Sequence, residues 1–396
     1  MSFDFDSLVD EGAVKAALAK YNDDAFLSIR QNRLESVIAE MEKRAVDVLI
    51  LSLGADLPWL CGYEAMPLER LTALVVTRDA QMTLVVPELE APRVREMPEL
   101  FDLLPWKEGV NPFAIVSGLV GSAQSLAVSD RMWASALLSL QAEIPSAKSY
   151  VASSEVISPL RSQKDEVELL LLARAAHITD HVAESIFAGE IGFLGKSEKE
   201  ISDEISRRLI AEGLSKVNFA IVGSGPNSAS PHHEPSSRKI EFGDSVVLDF
   251  GGLYNLGDEV GYCSDATRTV VVGEAPTGFG ELYSVLEAAQ EKARTSVNSE
   301  MSGAQSDALA REVIAEAGFG EYFIHRTGHG IGIEEHEEPY LVVTNKEPLG
   351  PFAAFSIEPG IYIPSKYGAR IEDICVVGEH RGASLNRSDR SLHVVE

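Results

Sequence analysis

The second half of this chain is written twice. Ser197 and Glu200 form a capping-box signature, and the helix they open runs 16 residues to Gly213. Ser302 and Gln305 repeat the signature, and that helix reaches Gly318 over the same interval. A longer helix precedes each, over about 165–188 and about 281–297; the first carries an apolar stripe of Leu171, Ala175, Ile178, Val182 and Ile186. Each helix pair is followed by a strand pair with two acidic residues, Asp249 and Asp265 in one half, Glu358 and Glu372 in the other. A repeat of helix, helix and acidic hairpin implies a pseudo-two-fold arrangement. Such an arrangement would point four carboxylates at one spot.

Their neighbours make these acids unusual. Asp249 sits in SVVLDFGG, Asp265 in GYCSDATRTVVVG, Glu358 in AAFSIEPGIYI and Glu372 in GARIEDICVVG. An ionised carboxylate in such apolar, strand-like settings is costly unless paired or coordinated. The nearby cations, Arg268 and Arg370, are too few to neutralise four anions. Taken singly, each acid reads as exposed or arginine-paired; as a symmetric set they read as metal ligands. Two divalent cations balance four carboxylates and supply hydroxide near neutral pH. Oxygen-rich ligation with a single imidazole suits Mn, Co or Fe and admits Zn. His232, His233, His325, His329 and His336 fall near the proposed site, and His329 is the candidate imidazole ligand. GHGIG is not followed by the GK[ST] of a phosphate loop, so its glycines read as places of close backbone approach.

The rest of the chain looks architectural. Its 396 residues suit two or three domains at about 100–200 residues each. We divide them into a leader over 1–28, a domain over 29–155 and a second over 156–396. Within the first domain, IRQNRLESVIAEMEKRAV reads as a helix, DVLILS as a strand and LTALVVTRD with QMTLVVPEL as two more around a turn. SLAVSD and a helical WASALLSLQAEI close this α/β unit, and Trp59 and Tyr63 read as core aromatics. A net charge of −27 argues against nucleic acid, and no apolar run is long enough to span a membrane. The acidic N-terminus and three scattered cysteines, Cys61, Cys263 and Cys375, suggest a cytoplasmic protein without disulfides.

In this order, LDFGG, SDATRT, GHGIG, SIEPG and RIED resemble the motifs of the pita-bread metallopeptidases, which include Xaa-Pro dipeptidase (prolidase), aminopeptidase P and methionine aminopeptidase. The resemblance covers about residues 155–390, and more loosely the first domain, which looks like the creatinase/prolidase-type N-terminal domain. The implied fold class is α/β (α+β): a creatinase-like α/β domain followed by a pita-bread domain with an internal pseudo-two-fold repeat. By the same resemblance, Asp249 chelates one metal, His329 with Glu358 binds the other, and Asp265 and Glu372 bridge the two. Glu358 would also shuttle a proton, His232 would stabilise the tetrahedral intermediate and His336 would contact the substrate carbonyl. His325 and Arg370 match positions that shape the pocket.

The implied activity is hydrolysis of the Xaa-Pro bond, foremost in dipeptides, by a hydroxide bridging two divalent metals. Mn²⁺ is the leading cofactor, with Co²⁺, Fe²⁺ or Zn²⁺ as alternatives. The implied partners are short proline-containing peptides and a second copy of the chain in a homodimer. Aminopeptidase P action on longer peptides and a metal-dependent lyase on the same scaffold are the rival readings. Two departures stand out. NLGDEV lengthens the segment between Asp249 and Asp265, and EEPYLVVTNKEPLGPFAAF offers Lys346 where prolidases often hold the substrate carboxylate with arginine.

Overall fold

A computed structural model describes residues 5–378 and 382–396. The first four residues of the expected leader and 379–381 of the expected second domain lie outside the described residues. Two compact units emerge: Ala19–Arg161, and the N-terminal segment to Leu18 together with Ser162–Glu396.

The smaller unit is built on a six-stranded mixed sheet. Its strands run in the spatial order Asp102–Trp106, Met82–Pro87, Ala73–Thr77, Val48–Leu51, Ser125–Val128 and Ser149–Ala152. VLIL at 48–51 is buried along its whole length, as a central strand covered on both faces must be. Helices Pro112–Val120 and Ala134–Glu143 pack Val116 and Leu140 onto Ile50, Val75 and Leu126. Trp59 and Tyr63 are buried. Most of the described part of the expected leader is helical. Asn22 accepts a hydrogen bond from the Ala25 amide at 3.0 Å, so the helix expected from Ile29 already begins at Asp23 and runs to Lys43. Helix Glu11–Leu18 belongs to the larger unit, where Glu11 pairs with Arg174 at 2.9 Å.

The larger unit repeats one order of elements. Helices Glu166–Phe187 and Glu198–Glu212 precede Lys216–Ser224, Ser245–Tyr254 and Tyr262–Val272, which with His393–Val395 form a four-stranded sheet. Helices Phe279–Ser296 and Gly303–Glu316 precede a five-stranded sheet ordered Glu337–Leu341, Gly328–Gly330, Ala354–Ile357, Asp373–Val377 and Gly382–Ser384. Both capping boxes form, and Gly213 (φ 117°) and Gly318 (φ 85°) take the left-handed conformation that ends each helix. Each half keeps its own core. Ile178, Ile201, Leu248 and Phe250 gather in the first; Leu286, Ile314, Phe355 and Ile357 gather in the second. Each such side chain, fully buried, contributes about 1.5–3 kcal/mol. All three cysteines are buried and unpaired. Among the described residues, no helix is long and apolar enough to cross a membrane.

Candidate metal centre and active site

Strand register decides where the acids meet. Asp249 lies opposite Thr267, and Asp265 opposite Gly251, so the two aspartates sit diagonally on one face of their hairpin. In the other half, the ladder between Ala354–Ile357 and Asp373–Val377 ends at the pair Ile357↔Asp373. Glu358 and Glu372 are the next residues beyond that end. All four carboxylates line one cavity of about 250 Å³.

His329 joins them from the short strand Gly328–Gly330, which is wedged between two others. A Cβ on Gly328 would come within 1.8 Å of the Ser356 carbonyl oxygen, and one on Gly330 within 2.3 Å of that of Glu338. The flanking glycines therefore allow the histidine backbone into the sheet. His329 Nδ1 lies 3.1 Å from the Gly330 carbonyl. That contact makes Nδ1 the protonated nitrogen and leaves the Nε2 lone pair facing Glu358 at 3.4 Å and Asp265 at 3.7 Å. Ligand atoms of Asp265, His329 and Glu372 lie within 4.8 Å of one another.

The remaining expected residues line the same cavity: His232, His325, His336 and Arg370. Arg370 is fully engaged. It donates to Asp249 Oδ2 (2.6 Å), Thr267 Oγ1 (3.0 Å), the Tyr362 hydroxyl (3.0 Å) and the Pro231 carbonyl (3.2 Å). The Tyr362 hydroxyl, 2.9 Å from His325 Nε2, donates a hydrogen bond to that ring, whose Nδ1 faces the Arg326 carbonyl at 2.7 Å. Arg268 pairs with none of the four carboxylates and meets that of Asp373 instead, at 2.8 Å.

Residues 171–379 match the model of metallopeptidase family M24, and residues 33–163 match the creatinase/prolidase N-terminal domain. The chain belongs to metallopeptidase family M24. It is 41% identical over 351 residues to Probable dipeptidase PepE of Mycobacterium bovis, covering 88% of this chain and 92% of that one. It is 31% identical to the Xaa-Pro dipeptidase of Pyrococcus furiosus, covering 91% and 99% respectively. The crystal structure of dipeptidase PepE from Mycobacterium ulcerans is 40% identical, with a TM-score of 0.86 over 93% of this chain and 98% of that one. As a member of M24 the chain is a metal-dependent peptidase, with the mixed α/β architecture of its prolidase neighbours.

M24 is a dinuclear metal-dependent family, and the cavity fits such ions. Asp249 Oδ1, Asp265 Oδ1 and Glu372 Oε1 are buried without a hydrogen-bond partner. Three orphaned carboxylate oxygens beside an imidazole lone pair are a donor set for divalent cations. Burial pushes the Asp265 carboxyl well above its ordinary range, and Glu372, Asp249 and Glu358 push it further. Glu372 is raised in the same way, by burial and then by Glu358 and Asp249. Burial likewise lifts Glu358 to about 7, against the pull of Arg370. His329 is held well below its usual value by burial and then by His336, so it stays neutral. Burial followed by Arg370 drives His325 down to about 3.

Sequence reasoning passed over several members of this M24 cavity. Arg326 lines it with Nη2 3.3 Å from His336 Nδ1 and its guanidinium 4.4 Å over the Tyr340 ring. Its position inside HRTGHG, between two singled-out histidines, was the available signal. Phe219 and Ile221, alternate residues on Lys216–Ser224, form an apolar wall with Pro231. Behind the lining, Thr267 accepts from Arg370 and donates to Glu372 Oε2 at 2.7 Å. Lys346 is exposed, bonds the Val343 carbonyl and does not line the cavity. Nor does any residue of the 255–260 insertion.

Proposed function

We propose that this M24 enzyme hydrolyses the Xaa-Pro bond of dipeptides, with two divalent ions held by Asp249, Asp265, His329, Glu358 and Glu372. The observation that carries the reading is the trio of orphaned, buried carboxylate oxygens beside the His329 lone pair. Asp249 would serve one ion, His329 and Glu358 the other, and Asp265 and Glu372 both. Mn²⁺ is our choice of metal. We place the enzyme in the cytoplasm, where its buried cysteines would stay reduced, and take it to act as a homodimer, as the resemblance implies.

Bound there, such ions supply hydroxide at neutral pH and polarise a scissile carbonyl. Glu358, which lines the cavity within 3.4 Å of His329 Nε2, is the residue placed to take up and hand on a proton. His232 and His336 donate hydrogen bonds toward the carbonyl oxygen as charge develops on it. With Arg326 lending a hydrogen to His336 Nδ1, Nε2–H is the side of that ring left to donate. Arg370 aims Asp249, and its chain through Tyr362 fixes the His325 ring. Phe219, Ile221 and Pro231 suit the apolar body of a short peptide.

Arg326 favours dipeptides over longer peptides. Among the described residues it has no carboxylate within ion-pair distance, whereas Arg370 is committed to Asp249. A guanidinium in that position can receive a terminal carboxylate. The test is release of free amino acid from Ala-Pro and Ala-Pro-Ala, by protein stripped with chelator and by protein reloaded with Mn²⁺. Cleavage of Ala-Pro alone, and only with metal, is expected. Cleavage of the tripeptide would make the enzyme an aminopeptidase P, and bound metal with neither peptide cleaved would favour a lyase.

A further inference from the structure

Glu198, the first residue of helix Glu198–Glu212, is 0% exposed although its neighbours Ser197 and Glu200 already cap that helix. Its carboxylate collects an unusual number of donors. Oε1 accepts from the Ser224 amide (2.8 Å), the Ser224 hydroxyl (2.7 Å) and Asn227 Nδ2 (3.0 Å). Oε2 accepts from the Ser236 amide (3.0 Å), the Ser236 hydroxyl (2.6 Å) and His233 Nε2 (2.7 Å). Burial alone would raise this acid, yet Ser236, Asn227, His233 and Ser224 together hold it at about 2. It is therefore a fixed anion.

Every donor belongs to one stretch of chain, 224–236, that leaves strand Lys216–Ser224 and carries Pro231 and His232 into the cavity. Glu198 grips both ends of this loop, its short helix Gly225–Ala229 and the residue next to His232. From the other side, Arg370 grips the Pro231 carbonyl. His232 is thus held between an anchor that also aims Asp249 and an anchor made by its own neighbour. We propose that Glu198 and His233 are a positioning pair that sets the place of the His232 imidazole in the cavity. The inference rests on the peptidase reading of His232 given above.

Helix capping does not account for this geometry, because capping needs bonds to the helix's own amides rather than to a loop up to 38 residues on. A positioning role differs from a stabilising one in its dependence on His232. Misplacing a reacting group by about 1 Å can cost 100-fold. We expect His233→Ala to lower kcat on Ala-Pro at least about 10-fold, with KM and metal content little changed. His233→Gln, which keeps a donor near Nε2, recovers most of the loss, and Glu198→Gln behaves like His233→Ala. In a His232→Ala background, His233→Ala has less than a twofold further effect.

An equal loss in both backgrounds, or a loss that tracks metal content, overturns the pair. His233 is partly exposed, so its variants carry the test even where Glu198→Gln fails to fold. Wild-type protein inactive on every peptide would instead refute the peptidase reading. The pair is then judged by the ¹⁵N imidazole resonances of His232, which His233→Ala must shift; unmoved resonances overturn it.

Discussion

Glu372 and Asp373 are adjacent, both buried, and opposite in condition. Asp373 Oδ1 meets Arg268 at 2.8 Å, and Oδ2 meets Gln290 at 2.8 Å and Arg390 at 2.5 Å. Burial opposes its ionisation, but Arg268 and Arg390 prevail and hold it below the usual range. Glu372 has only Thr267 for one oxygen and nothing for the other, and its pKa is driven up. Strand alternation sends one side chain into the cavity and the next behind it. Arg268 also donates to the backbone carbonyls of Thr267 and Glu372, so the satisfied network fixes the strands that carry the unsatisfied one. One network is complete as folded; the other is completed by what it binds.

The sharpest test of that contrast is to remove a member from each side. Asp265→Ala should cut Mn²⁺-supported Ala-Pro turnover by far more than the about 10–100-fold that loss of an outer hydrogen-bond partner costs a metal site. The thermal midpoint of the chelator-treated protein should hold or rise, since a repelled charge has gone. Full activity in this variant, or a collapse in stability, would break the comparison. Asp373→Ala should do the reverse and destabilise by about 3–5 kcal/mol in urea, because it strands the buried Arg268 guanidinium. A loss below about 1 kcal/mol would mean that the rear network is not what holds the strands.

Two cavity arginines repeat the contrast on a smaller scale. Arg370 has four partners, including Asp249, whereas Arg326 has one imidazole and one ring face. Arg326→Ala should lower kcat/KM on Ala-Pro about 10–150-fold, the worth of a charged hydrogen bond of about 1.5–3 kcal/mol. Cleavage of Ala-Pro-amide, slow in wild type, should fall far less in the variant, by no more than the support Arg326 lends His336. An equal loss on both substrates would assign Arg326 to His336 alone.

The satisfied and unsatisfied networks were unequally visible in the sequence. Capping is local, so Ser197/Glu200 and Ser302/Gln305 announced both helix starts, and the repeat then implied the meeting of the two hairpins. Nine of the residues singled out there, all but His233, do share one cavity, because their settings were chemically anomalous: acids in strand-like runs, histidines among glycines. Asp373 raised no such signal, since its partners Arg268, Gln290 and Arg390 are remote in sequence. Glu198 looked like an ordinary first-turn acid, favourable to the helix dipole whether buried or not. In the smaller unit, the strand Asp102–Trp106 escaped notice because only Trp106 of DLLPW is fully buried, so no alternation marks it. The helix from Asp23 was missed at its start because the cap depends on Asn22, among residues that looked merely polar.

An orphaned buried group need not mean a site, and His177 is the case that separates the two. Both of its ring nitrogens are buried without a hydrogen-bond partner, yet it lies on helix Glu166–Phe187 and does not line the cavity. Burial lowers its pKa, with Asp180 and Glu11 pulling the other way. As the pH falls through about 6.5, the unfolded chain takes up a proton that the folded chain refuses, so stability is lost toward acid. His177→Leu should therefore stabilise the protein by about 1 kcal/mol at pH 7 and by more at pH 5.5, as two urea titrations would read. Turnover of Ala-Pro should not change. Orphans that a ligand completes are costly to remove for function; an orphan that nothing completes should be costly to keep. A His177→Leu enzyme that lost activity would show that the two kinds of buried group cannot be told apart by their partners alone.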